Sequence, residues 1–139
     1  MKSITRILSA AVLGTLMIAS VSTLAAKTDG EKQTNQFAGA KANTGMATFF
    51  HENGKPMLKV TDDFKVPDTP APTWRVVDTK GNIYTLDAFK VQAGGIVGGN
   101  SEKRQISLPS YIHDVAKVQV YCAWAQVLLG EASFPSPAK

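Results

Sequence analysis

Lys117-Val118-Gln119-Val120-Tyr121-Cys122-Ala123-Trp124 alternates in character along its length. Val118, Val120, Cys122 and Trp124 fall on one side of an extended chain, and Lys117, Gln119, Tyr121 and Ala123 on the other. Side chains of a strand point to opposite faces with a period of two, so the apolar set marks a core face and the mixed set an outer face. The stretch therefore reads as a half-buried strand. Val127 to Phe134 follows as a second strand and closes the ordered chain.

Working upstream, the same signature recurs in short pieces. Met46 to Phe50 and Met57 to Val60 flank His51-Glu52-Asn53-Gly54-Lys55, whose central Asn-Gly is a strong hairpin signal. Trp74 to Val77 and Ile83 to Leu86 flank Asp78 to Asn82, a second hairpin. Phe89 to Gln92 and Gln105 to Leu108 add two shorter strands, the latter ended by Pro109. Asp62-Asp63 reads as a turn, Val66 to Pro72 as a proline-rich loop, and Gly94 to Lys103 as a mobile glycine-rich loop. Beyond Lys27 no stretch sustains an apolar period of 3.6, and Ser110 to Val115 offers one helical turn at most. This pattern predicts an all-β fold, an antiparallel β-sandwich or partly open barrel, in one domain over residues 37–134.

The N-terminus has the layout of a secretory signal peptide over residues 1–26. Lys2 and Arg6 precede the uncharged, mostly apolar Ile7 to Ile18, and Ala19 to Ala26 is small apart from Leu24. The apolar run is shorter than the roughly 20 residues of a bilayer span. Cleavage after Ala25 or Ala26 predicts a periplasmic or secreted protein with no membrane span after removal. Removal of all 26 residues leaves 113 of the 139, enough for a modest core. Residues 27–36 are polar and read as a flexible tether, and 135–139 as a loose tail. With Lys2 and Arg6 gone, 13 basic residues face 11 acidic ones, so the net charge falls from +4 to +2. Both signs are dispersed, and the one adjacent basic pair, Lys103-Arg104, reads as part of a solvated loop. Nothing here calls for a nucleic-acid partner.

Cys122 is the single cysteine. In an oxidising compartment cysteines usually pair, and this one has no partner in its own chain. It is a free thiol, a link to another molecule, a ligand, or a buried small hydrophobe. Alternation turns it toward the core, and no lysine or arginine shares its face to favour the thiolate. A cupredoxin-like copper site needs a thiolate, two imidazoles and often a thioether. The candidates are His51, His113, Met46 and Met57, although no histidine follows the cysteine as it usually does in such sites. Covalent haem c is excluded because Cys-x-x-Cys-His is absent, whereas noncovalent haem on Cys122, a histidine or a methionine stays open. The glycines at 94–99 lack the Gly-Lys-Ser/Thr ending of a phosphate loop, and no Gly-x-Ser-x-Gly elbow supports a hydrolase.

The order of the pieces resembles a known family. Val118-x-Val120-Tyr121-Cys122, then Val127-x-Leu129-Gly130-x-Ala132, is similar to the ending of the electron transfer DM-thirteen domain. Asp63-Phe64, Trp74-x-Val76, Leu108-Pro109 before Tyr111, and Phe37-Ala38-Gly39 ahead of Gly45-x-Ala47 resemble its earlier elements. The resemblance spans residues 37–134. It departs at Ile106 and Ala125, where the family often carries aromatics, with Trp124 displaced by one position. The resemblance implies a β-rich extracytoplasmic domain, sometimes beside DOMON domains and membrane b-type cytochromes. It also implies a redox role for Cys122 alone, as a naked thiol or haem ligand; Tyr121 and Trp124 are candidates only as its neighbours in sequence. Three readings follow. One is an electron-transfer or redox module working through Cys122 with an extracytoplasmic partner, rather than an enzyme. A second is a cysteine-independent binding module using loops 66–73 and 94–103. The third is a carrier of noncovalent haem or copper.

Overall fold

The computed structural model describes residues 30–92 and 100–139, and every regular element within them is a strand. In chain order these are β1 (Lys32–Gln33), β2 (Ala47–Glu52), β3 (Lys55–Val60), β4 (Pro72–Val77) and β5 (Ile83–Ala88), then β6 (Lys90–Gln92), β7 (Asn100–Glu102), β8 (Gln105–Ser107), β9 (Val115–Cys122) and β10 (Val127–Ala138). The proposed signal peptide and the glycines at 94–99 lie outside the described residues.

Two four-stranded antiparallel sheets form a β-sandwich, in the orders β1-β2-β3-β8 and β10-β9-β4-β5, while β6 and β7 form a separate ribbon. Neither sheet closes on itself, which selects the sandwich over the barrel. Asn53 and Gly54 carry φ of 51° and 76°, the left-handed pair that a two-residue hairpin requires. They set the register Glu52↔Lys55, which places Phe49 opposite Leu58. In the second hairpin, Asp78 Oδ1 accepts the N–H groups of Lys80 at 2.9 Å and Asn82 at 2.8 Å. Those bonds, with those of Asn82 Nδ2 and Tyr84 Oη to Oδ2, hold the Asp78 carboxyl below its usual range.

The inner faces meet over Phe49 and Leu58 from one sheet and Trp74, Val76, Val118 and Val120 from the other, each at most 2% exposed. Loop aromatics complete this core. Phe37, Phe64, Phe89 and Trp74 form a chain of ring contacts with centroids 5.0, 5.5 and 4.4 Å apart. Trp74 Nε1 donates to the Lys103 carbonyl at 2.9 Å, so the largest buried side chain leaves no orphan donor. Arg104 is not a solvated loop residue. Its Nη2 donates to the carbonyls of Thr61 at 2.8 Å and Phe64 at 2.9 Å, clamping that turn.

Three further expectations are corrected. The polar stretch at 27–36 is ordered from residue 30, because β1 pairs with β2 through Lys32↔Phe49 and Gln33↔Thr48. Thr34 Oγ1 also accepts the Ala47 N–H at 2.9 Å. Backbone pairing at a sheet edge needs no apolar side chain, so composition concealed it. The tail at 135–139 is not loose either, since β10 runs to Ala138, which is fully buried and pairs with Val115. Pro135 and Pro137 are tolerated because β10 is an edge strand. Finally, Trp124 does not face the core. β9 ends at Cys122, residues 123–126 turn, and Trp124 is 77% exposed.

Candidate functional site

Cys122 ends β9 between Pro72 of β4 and Val127 of β10. Its parity with Val118 and Val120 directs it inward, and it is 2% exposed. The turn 123–126 folds over it, closed by Gln126 at φ 56°. That turn brings the Ala125 N–H to 3.4 Å from Sγ, to which it donates.

This bond is the largest influence on the thiol and favours its ionised form. Burial opposes it. The N–H groups of Ala71 and Trp124 and the Thr69 hydroxyl act in the same direction as Ala125, and the balance holds the thiol below its ordinary range. Thr69 Oγ1 is buried and makes no hydrogen bond. Ala71 is held in place because its carbonyl accepts the Ala123 N–H at 3.0 Å and Thr73 Oγ1 at 3.1 Å. The end of the proline-rich loop is thereby clipped to the turn beyond β9. Only the Ala125 N–H makes a hydrogen bond to the sulfur.

Tyr121 and Trp124 take other positions. Tyr121 points to the outer face, where the Arg75 guanidinium lies 4.3 Å from its ring centroid. Trp124 contributes its backbone N–H, not its indole. Its exposed ring belongs with Val127 and Leu128, 47% and 50% exposed, at the same end of the sandwich. Sequence reasoning looked for a cationic side chain near the thiol and missed Thr69, Ala71 and Ala125. Backbone N–H groups carry no residue signature. The one usable signal is a cysteine at a strand end followed by a turn, and the Pro72↔Cys122 register emerges only from the fold.

The copper candidates do not gather around the thiol. His51, at the end of β2, and His113, just before β9, line one cavity. Cys122 lies seven residues beyond Val115 on β9, a separation of about 23 Å at about 3.3 Å per residue. Met57 pairs with Phe50 and so occupies the face opposite Phe49 and His51, and Met46 precedes β2. Among the described residues no group of three His, Cys, Asp or Glu side chains could hold a metal ion. Haem ligation does not fit Cys122 either, because the sulfur faces backbone donors under a closed turn. Asp63 Oδ1 accepts Thr61 Oγ1 at 2.5 Å in a turn, as expected for Asp62-Asp63. Among the described residues no helix is long and apolar enough to cross a membrane. No protein family, curated protein or solved structure matches the chain.

Proposed function

We propose that this chain is an exported redox module acting through Cys122 by thiol–disulfide exchange with an extracytoplasmic partner. The observation that supports it most is the Ala125 N–H, which donates to Sγ at 3.4 Å and favours the thiolate. The thiolate is the nucleophile in such exchange, and stabilising it raises the reactive fraction near neutral pH. The family resemblance and the signal-like N-terminus point to the same class and compartment.

In the proposed step the Cys122 thiolate attacks one sulfur of a partner disulfide. A new S–S bond forms as the partner's bond breaks, and the leaving sulfur departs as a thiolate. A different thiolate of the partner then attacks the partner sulfur of the mixed disulfide, forms a new partner S–S bond and releases Cys122 as a thiolate, so the net change is a rearranged partner disulfide with no net gain or loss of electrons. Access requires the turn 123–126 to swing aside, since Cys122 is 2% exposed in the closed form. Trp124 in that turn and Val127 and Leu128 just beyond it are exposed.

The test is the pH dependence of native labelling by a small alkylating reagent, with oxidised glutathione as a model disulfide. The proposal expects native labelling with a midpoint below the free-thiol value of about 8.5, and a mass shift of one glutathione on Cys122. Labelling that occurs only after unfolding, with no adduct on the native protein, would defeat it.

A further inference from the structure

We propose that Arg75, on the outer face of the sheet β10-β9-β4-β5, binds a carboxylate. The strand registers line up one row across that sheet: Glu131 on β10, Gln119 on β9, Arg75 on β4 and Thr85 on β5. Arg75 is half-buried, and its guanidinium lies 4.3 Å from the centroid of the Tyr121 ring, one diagonal step away on β9. Stacking of this kind holds the guanidinium in place and leaves its donors free.

Three observations select the ligand class. The first is charge. The Glu131 carboxylate is balanced by Lys117, which donates to Oε1 at 3.1 Å, and it lies two strands from Arg75, about 10 Å away. Asp87 on β5 is balanced in the same way by Lys103. Among the described residues no carboxylate pairs with Arg75, so this face keeps one positive charge. The second is unmet hydrogen bonding. Gln119 is 8% exposed and its Oε1 has no partner. Its Nε2 is drawn to Glu131 on the β10 side. Arg75 Nε is buried and unpartnered as well. The row therefore does not close its hydrogen bonds among its own members, as buried polar groups ordinarily do. Of the guanidinium nitrogens only Nε is covered, which leaves the Nη pair as the open end of the fork. The third is shape. Two parallel N–H donors match the two oxygens of a carboxylate, and one surplus charge matches a monoanion better than a doubly charged phosphate. On the same face Leu128 stands beside Tyr121 and Ile83 beside Val77, 50% and 52% exposed. The group that carries the carboxylate therefore meets apolar surface on either side.

The experiment titrates the ¹⁵N-labelled protein with acetate, with acetamide and phosphate in parallel. It follows the side-chain Nε–H signal of Arg75 and the backbone amides of Gln119 and Thr85. Arg104 is the internal control, because its Nη2 already donates to the Thr61 and Phe64 carbonyls. Acetate is expected to shift the Arg75 and Gln119 signals saturably, with a Kd on the order of 10 mM, and to leave the Arg104 signal in place. Neutral acetamide is expected to bind at least about fivefold more weakly. Arg75→Lys keeps the charge but loses the fork and is expected to weaken acetate by about fivefold, read from Gln119 and Thr85. A capped tripeptide of leucine, aspartate and leucine separates two sources of the carboxylate. Tighter binding than acetate points to an acidic segment of a protein, and equal binding to a small organic acid. Non-saturating shifts, equal movement of the Arg104 signal, equal binding of acetamide, tighter binding of phosphate, or an unchanged Kd in Arg75→Lys would each overturn the proposal. None of these readouts involves Cys122, so the result is independent of the redox proposal.

Discussion

Gly130→Ala should be strongly destabilising. The segment Gly39–Ala42 crosses β10 where its register shifts between Leu128 and Gly130, and the two backbones nearly touch. A Cβ on Gly130 would meet the Ala42 carbonyl and Cβ far inside ordinary contact, so the crossing segment must retreat by roughly 1 Å. Overpacking of this kind costs about 1–3 kcal/mol. The retreat also strains the Lys41 and Ala42 N–H bonds to the Leu129 carbonyl, 3.1 and 3.0 Å long, each contributing about 1 kcal/mol. The expected loss is about 3–5 kcal/mol, out of the 5–15 kcal/mol typical of a small domain. In urea, at a slope of about 1.5 kcal/mol/M, this lowers the midpoint by at least about 2 M. Gly54→Ala is the internal control. Gly54 has φ 76° and nothing within 4 Å of a Cβ, so only backbone strain of about 1–2 kcal/mol applies. Amide exchange adds a local reading, since Lys41 and Ala42 should lose protection first in Gly130→Ala. A loss below about 1 kcal/mol, or one no larger than that of Gly54→Ala, would refute the close-approach reasoning.

Two further outcomes follow from the ionisable groups. Glu131 is raised by burial, but bonds from Gln119 Nε2 at 2.6 Å and Lys117 Nζ at 3.1 Å, with the charge of Lys117, outweigh that and hold it below its ordinary 4.5. Its ionised form therefore stabilises the fold above about pH 4.5, and this contribution disappears as pH falls through the lower native value. Glu131→Gln should be less stable at neutral pH by about 1 kcal/mol or less, given its solvent exposure, and the gap should close on acidification. A gap that persists in acid unfolding curves would contradict this. For the thiol, Thr69→Val deletes one of the groups favouring the thiolate, so the labelling midpoint of Cys122 should move upward. An unchanged midpoint would remove Thr69 from the site.

Both hairpins were legible in the sequence because a hairpin is local. Asn53-Gly54 and the Asp78 to Asn82 turn dictate their geometry from adjacent residues, and the alternation of β9 placed Val118, Val120 and Cys122 in the core. What escaped was set by non-local pairing. β1 is polar and short, yet the free edge of β2 captures it. The prolines of β10 signal a frayed end, but an edge strand accommodates them. Alternation carried one residue pair too far at Trp124, because apolar periodicity does not mark where a turn begins. The meeting of His51 with His113 depends on two strand ends that only the sandwich brings together.

Packing alone gives a reason for sulfur at position 122. Valine would leave the Ala125 N–H without its acceptor, whereas serine would place a strongly polar oxygen beside Val120 and the apolar core. Cysteine is apolar enough for the wall and still accepts the bond. The direction of its titration carries the weight beyond that. A thiol that is merely packed has its ionisation pushed up by burial. At Cys122 the Ala125 N–H outweighs burial, and Ala71, Trp124 and Thr69 add to it from both the turn and the proline-rich loop. The Ala125 N–H, donated to Sγ at 3.4 Å, therefore does more than satisfy the turn: it favours the form of the thiol that reacts.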